Sequence, residues 1–443
     1  MGGNMLQQKT QQQGQAIVIL ALVMIVLLAF AAVALDGGTI YTQQRRAQAA
    51  ADSAALAAAT KRMNGFKDEP TLRATALSNA AQNGYTNDGT TNWVTFYTPP
   101  INGPYIARTA YVQVFITQTV RTTLAQLVYR GPFQLTVRAV AHGVPPEPLM
   151  AGYALATLKP DCGGGSAIGV QGRGGGSTGA TLLRNAGAFV NSSCPDAITM
   201  SGSHETLWVD GGGYPIDVVG GFVGDCPANL NPCPNTGVPP VTQDPIKGTP
   251  AGTPPDDHCS PNRTYNNGDT TLQPGRYGDI NQKNNPAITL SPGIYCVDGA
   301  ITAGENGITG TGVLIYLTNA NAKIDFSGKG SVSLNPATQL NTSCTTPGNP
   351  ICDYLNIIIY KPVGLNDCSA SNKEIDLTGQ GSMIVNGLIY APQSLARYGG
   401  QGSLVLNGQS LVGCAKFNGN GSINIIYNPD LTYVPAGYVN LVQ

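Results

Sequence analysis

Ten cysteines carry most of the chemistry this sequence could perform: Cys162, Cys194, Cys226, Cys233, Cys259, Cys296, Cys344, Cys352, Cys368 and Cys414, with none in the first 161 residues. A structural zinc site needs close ligand pairs of the C-x₂-C kind. The tightest spacings here are Cys226 to Cys233 and Cys344 to Cys352, and only His142, His204 and His258 could assist. Disulfides are therefore expected, and with them an oxidising compartment for the C-terminal region. Pairing within those two near-neighbour couples is a hypothesis; the remaining pairing stays open.

The other constellations are weaker. Gly172-Arg173-Gly174-Gly175-Gly176 has the glycines of a phosphate loop but lacks its Lys-Ser/Thr ending, and no helical pattern follows, so a turn is the reading. Asp256-Asp257-His258, with Asp225 or Asp298, suggests a cation site, yet the spacing of a calcium loop is absent and Pro254-Pro255 marks a solvated loop. Asp325, Glu374 and Asp376 could supply the paired carboxylates of a glycan-cleaving groove. Each is flanked by apolar residues in alternation, which places them outward and solvated and assigns no acid and base pair. No catalytic residue, metal or cofactor is expected.

These side chains need elements to hold them. Residues 16–35 are an uncharged apolar run long enough, at ~1.5 Å per residue, to cross a ~30 Å hydrocarbon core. The preceding head, residues 1–15, is Gln-rich with Lys9 alone, unlike the basic start of a cleaved leader, so an uncleaved anchor with a cytoplasmic head is expected. Arg45, Arg46, Lys61 and Arg62 follow the span, and by the positive-inside rule they favour the opposite orientation. Long domains translocate largely regardless of such charge, and the cysteines argue for export, so the C-terminal domain is placed outside the cytoplasmic membrane.

Tyr41 to Met63 has strong helix formers and no Gly or Pro, which continues the membrane helix past Gly37-Gly38 as a stalk. Its alanines reflect either helix propensity alone or an intermolecular packing surface. Thr71 to Ala81 reads as a short helix ending at Asn83-Gly84, and Trp93 to Tyr97, Ala110 to Val120 and Phe133 to Ala141 read as strands. Residues 64–143 thus form a small α+β module. After the break at Gly143 to Pro148, residues 144–443 are rich in Gly, Asn and short apolar strands, with a Pro-rich, disulfide-tied insertion near 224–262.

Repeats dominate that last part. Gly328-Lys329-Gly330-Ser331, Gly379-Gln380-Gly381-Ser382, Gly400-Gln401-Gly402-Ser403 and Gly419-Asn420-Gly421-Ser422 each precede a strand-like run, and Leu272-Gln273-Pro274-Gly275-Arg276-Tyr277 recurs as Leu290-Ser291-Pro292-Gly293-Ile294-Tyr295. A period near twenty is too short for a helical repeat and fits the coil of a parallel β-helix. The expected class is mainly β: one transmembrane helix with its stalk, a small α+β module and a C-terminal β-solenoid.

Gly14-Gln15 opens the span, and Asp36-Gly37-Gly38, Tyr41, Arg45-Arg46 and Ala51-Asp52-Ser53-Ala54-Ala55-Leu56-Ala57-Ala58 follow it. This order resembles the N-terminal motif of TadE/TadG-like Flp pilus-assembly proteins, firmly over residues 14–60 and more weakly to Ala141. The Gly/Asn repeats with Leu388-Ile389-Tyr390-Ala391-Pro392 are similar to β-helical domains attached to such anchors. The resemblance implies a structural role in assembly of, or attachment through, Flp-type pili, with the bilayer and other assembly proteins as partners. A prepilin would carry Glu five residues after its cleavage glycine; Ile19 stands there after Gly14, so prepilin processing is not expected.

With 24 Lys+Arg against 25 Asp+Glu the chain has no summed field to attract nucleic acid. Nineteen tyrosines leave surface glycans open as a ligand by ring stacking. A membrane-tethered β-helical enzyme on polysaccharide, or a glycan-binding adhesin, is the alternative to the structural reading.

Overall fold

The computed structural model describes residues 11–122, 124, 131, 133–171, 180–201, 206–342, 344, 349–369 and 374–442. They fall into two compact units, Met1–Pro146 with Ala436–Gln443, and Glu147–Pro435.

The first unit is built on one helix, α1 (Gln11–Met63), which runs unbroken through Gly37-Gly38. It stops at Asn64-Gly65, where Gly65 takes φ +92° and its N–H returns to Arg62 O at 2.9 Å. A second helix, α2 (Glu69–Gln82), starts where the Asp68 carboxylate accepts from Thr71 N at 3.0 Å, with Pro70 in its first turn. Three strands follow as an antiparallel meander: β1 (Asn92–Tyr97), β2 (Tyr111–Val120) and β3 (Phe133–Val144).

The fourth strand of this sheet is the C-terminal segment Tyr438–Val442, which pairs antiparallel with β3 from Val144↔Tyr438 to Val140↔Val442. The second domain, expected over residues 144–443, ends sooner: the chain's end closes the first unit's sheet, and the 289 residues Glu147–Pro435 are inserted between two neighbouring strands. Nothing local signals this, because a five-residue strand reads the same whichever sheet it joins.

Ala47, Ala50, Ala51, Ala54, Ala55, Ala58 and Ala59 of α1 are buried against Leu72, Ala76 and Ala80 of α2 and the apolar face of the sheet. The alanine stripe, left open between propensity and an intermolecular surface, is the core of the chain's own module. Small side chains let helix and sheet approach closely: a Cβ on Gly143 would stand 2.2 Å from Ala59 O.

In the second unit the pairings are parallel, and most strands pair with the one about twenty residues on. One series runs Gly275–Tyr277, Gly293–Val297, Val313–Leu317, Ile357–Tyr360, then into Met383–Gly400 and Leu404–Gly419. It continues not to the C-terminus but back to Tyr153–Thr157, and from there to Gly187–Val190, Ile216–Val218 and Asn235–Thr236. The unit therefore begins in the middle of its own stack. Short strands at Leu230–Asn231 and Asn235–Thr236 belong to these series, so the insertion expected at 224–262 is sheet in its first part.

The glycine repeats have a direct steric cause. A Cβ on Gly402 would lie 2.0 Å from Gly381 O, and one on Gly421 would lie 1.6 Å from Gly402 O, so each turn sits on the carbonyl of the turn before it.

Candidate functional site

The family-like residues lie along α1. Gly14 and Gln15 are helical, and their side chains fall outside the described residues. From Ile17 the apolar window of α1 is bare, and α1 is the helix among the described residues long and apolar enough to cross a bilayer. Asp36 follows directly and is only 6% exposed; its Oδ2 accepts from Leu124 N at 2.9 Å. Gly37 faces open space. Arg45 lies over the Tyr41 ring at 5.2 Å, and Gln48 donates both to Asp52 Oδ1 at 2.7 Å and to Arg138 O at 2.9 Å. The motif thus divides its work: the apolar residues are bare, while Gln48 bonds β3, Asp36 bonds Leu124, and the alanines pack in the core shared with α2 and the sheet.

All ten cysteines are paired: Cys162–Cys194, Cys226–Cys233, Cys259–Cys296, Cys344–Cys352 and Cys368–Cys414. Two of these join the near neighbours paired above. The other three link residues 32 to 46 apart in sequence, each with at least one cysteine outside the strands.

Cys259–Cys296 also ends a strap that spacing could not reveal. After Thr236 the chain crosses the strand series Tyr390, Tyr360, Tyr316, Cys296 in reverse. Val241 exchanges two hydrogen bonds with Asn191 (2.8 and 2.9 Å), Tyr390 donates to Asp244, Tyr354 to Thr253 O, and Tyr316 to Asp256 Oδ1 at 2.9 Å. Asp256, considered above as a cation ligand, is thus a strap contact, and Asp298 forms a two-point pair with Arg276 at 2.8 and 2.9 Å. Among the described residues no group of three or more His, Cys, Asp or Glu is placed to hold a metal ion. Gly172-Arg173-Gly174-Gly175-Gly176 and His204 lie outside the described residues.

Of the three carboxylates expected on solvated strand faces, Asp325 is half-buried and accepts from Ser327 N and Oγ, while Glu374 and Asp376 are buried. Glu374 is 3% exposed and pairs at 3.4 Å with Lys361, itself 0% exposed. Lys361 Nζ donates to the carbonyls of Asn319, Ala320 and Ala322 at 2.7 to 3.1 Å, while Glu374 accepts from Leu365 N, Leu395 N and Ser394 Oγ. Asp376 is 2% exposed and accepts from Thr378 Oγ1, with Arg397 at 3.9 Å. Glu374 and Asp376 point away from the strand core as alternation requires, but the Leu365 N–H from the segment tied down by Cys368–Cys414 meets Glu374, and Arg397 of the neighbouring strand lies beside Asp376. Burial lowers the Lys361 pKa, with Glu374 pulling it back.

The tyrosines also go inside. Tyr295, Tyr316, Tyr360, Tyr390 and Tyr398 are buried, and Tyr360 stacks on Tyr390 at 5.7 Å. Burial raises the phenol pKa of each, and burial with the Asp217 hydrogen bond raises that of Tyr153 to about 12. These five rings are core, while Tyr41 and Tyr438 stay exposed.

Residues 14–61 match the Tad family model, TadE/G-like Flp pilus assembly. The match covers the bare apolar half of α1 and the half buried against the module, and it ends two residues before the helix does. Comparisons with curated proteins and with solved structures give no match.

Proposed function

We propose that this chain is a non-catalytic structural protein of Flp-type pilus assembly or cell-surface attachment, anchored by α1 in the cytoplasmic membrane with both units outside. The observation that carries the reading is the division of α1 within the family-matched segment: a bare span of bilayer length, then a helix built into a folded module. The orientation rests on five disulfides in a chain whose remaining cysteines number none. The second unit is a β-solenoid in this reading, supported by its series of parallel pairings at intervals near twenty residues. A structural rather than catalytic role is supported by the burial of Glu374 and Asp376 against Lys361 and Arg397.

The test is thiol labelling in whole cells with a membrane-impermeant reagent. Labelling after reduction and not before it supports the exported, disulfide-paired domain. Labelling that needs lysis and no reductant would place the domain in the cytosol and remove the pilus-assembly role.

A further inference from the structure

The sheet of the first unit has two edges, β1 and the C-terminal strand Tyr438–Val442, and they differ. Gly143 N donates to Ala110 O at 3.3 Å, so Gly143 and its alternates on β3 face β2, while Val140, His142 and Val144 face the C-terminal strand. Carried across β2, the same alternation points the backbone groups of Asn92, Val94 and Phe96 out of the sheet at β1. Four of those groups are taken. Asn92 N donates to Asp88 Oδ1 at 3.1 Å, Asn92 O accepts from Gly89 N at 3.2 Å, Val94 N donates to Asn87 Oδ1 at 2.8 Å, and Phe96 O accepts from Arg73 Nη2 at 3.1 Å. The chain's own turn and a guanidinium close this edge.

At the other edge the alternation turns the N–H and C=O of Val439 and Leu441 outward, and among the described residues they meet no partner there. Tyr438–Val442 carries none of the devices that blunt a strand edge, neither charge nor proline nor bulge. Tyr438 is 48% and Leu441 42% exposed. From this contrast we infer that the C-terminal strand is a docking edge, to which an extended segment of another protein adds as a further antiparallel strand. The segment is uncharged and apolar at alternate positions, because it pairs with Val439 and Leu441 and covers the Leu441 side chain. A second copy of this chain does not fit. Gln48 donates to Arg138 O and Ala59 lies against Gly143, so β3 runs parallel to α1 and the C-terminal strand runs antiparallel to it. Antiparallel pairing of two copies through this strand would turn one α1 end for end, and the two spans could not enter the same membrane face. That exclusion rests on the anchor reading of α1; the open edge does not.

The experiment uses the full chain in detergent micelles and a fluorescent peptide copy of residues 436–442, which has no anchor and is free to add antiparallel. Leu441→Pro removes an outward N–H and leaves the bonds to β3 in place; Leu441→Thr removes the same side chain and keeps the N–H. Fluorescence anisotropy should show saturable binding to the parent and to Leu441→Thr, weakened about tenfold or more by Leu441→Pro. The peptide N-methylated at every amide should not bind, a control that holds even where the proline variant fails to fold. No binding to the parent, equal binding to Leu441→Pro in a folded state, or equal binding of the methylated peptide overturns the inference and leaves the anchor standing. Asn440 would stand opposite itself in an antiparallel pair of copies, so Asn440→Cys tests the occupant in whole cells. Monomer is expected; a dimer linked through that cysteine would put a second copy on the edge and overturn the assignment.

Discussion

Replacing Glu374 by Gln tests whether the acids of the second unit are structural. The amide removes the charge facing Lys361 and puts an N–H₂ where Leu365 N, Leu395 N or Ser394 Oγ now donates, so one donor meets another whichever way it is turned. Lys361 keeps its three carbonyl acceptors but loses its counter-charge at 0% exposure. Breaking a buried pair from one side costs about 3–5 kcal/mol. Hydrogen exchange in the strands Ile357–Tyr360 and Ile375–Leu377 should then quicken by about a hundredfold to several thousandfold. Adding Lys361→Met, which removes the orphaned charge, should restore part of the loss.

The same variant has a signature in pH. Desolvation already holds Lys361 below the ordinary lysine value of 10.5, and without Glu374 it falls further. Between the folded value and 10.5 the unfolded chain binds more protons than the folded one, so stability rises with pH in that window. The deficit of Glu374→Gln relative to the parent should therefore narrow as pH is raised toward 10. Exchange within about twofold of the parent, the spread of an ordinary surface substitution, would refute the account.

Two further outcomes follow from close contacts. Gly143→Ala places a methyl 2.2 Å from Ala59 O, so α1 must move off β3; a loss of about 1–3 kcal/mol is expected in denaturant unfolding of the first unit, with the second unit's transition unchanged. Asp256→Ala leaves the buried Tyr316 hydroxyl without its acceptor and should weaken the strap by about 1–3 kcal/mol, read as faster proteolysis within residues 237–262 at unchanged cleavage elsewhere.

How much of this was legible in the sequence depended on the range of the forces involved. α1 as far as Met63, α2 with its end at Asn83-Gly84 and the three strands of the meander are set by neighbours in sequence: apolar length, helix propensity, a terminal glycine, alternation. So were the glycine repeats, since a turn stacked on a turn excludes a Cβ in every copy. The near-neighbour disulfides belong here too, because a short loop leaves few places for a thiol to go.

What only the tertiary structure decided is which surface covers which. The repeat of Leu272–Tyr277 as Leu290–Tyr295 pairs in step at Leu272 opposite Leu290 but is two residues out by Gly275, which stands opposite Tyr295, because pairing follows the stack and not the best alignment of motifs. Alternation put Glu374 and Asp376 on the outer face correctly, but it could not say that another stretch of chain would lie over that face. The strap at 237–262, the start of the second unit in mid-stack and the return of Tyr438–Val442 to β3 all join residues far apart in sequence. Local composition carries no record of such partners: a strand edge offers the same N–H and C=O groups to any chain that arrives, and the choice is made by the packing of the whole.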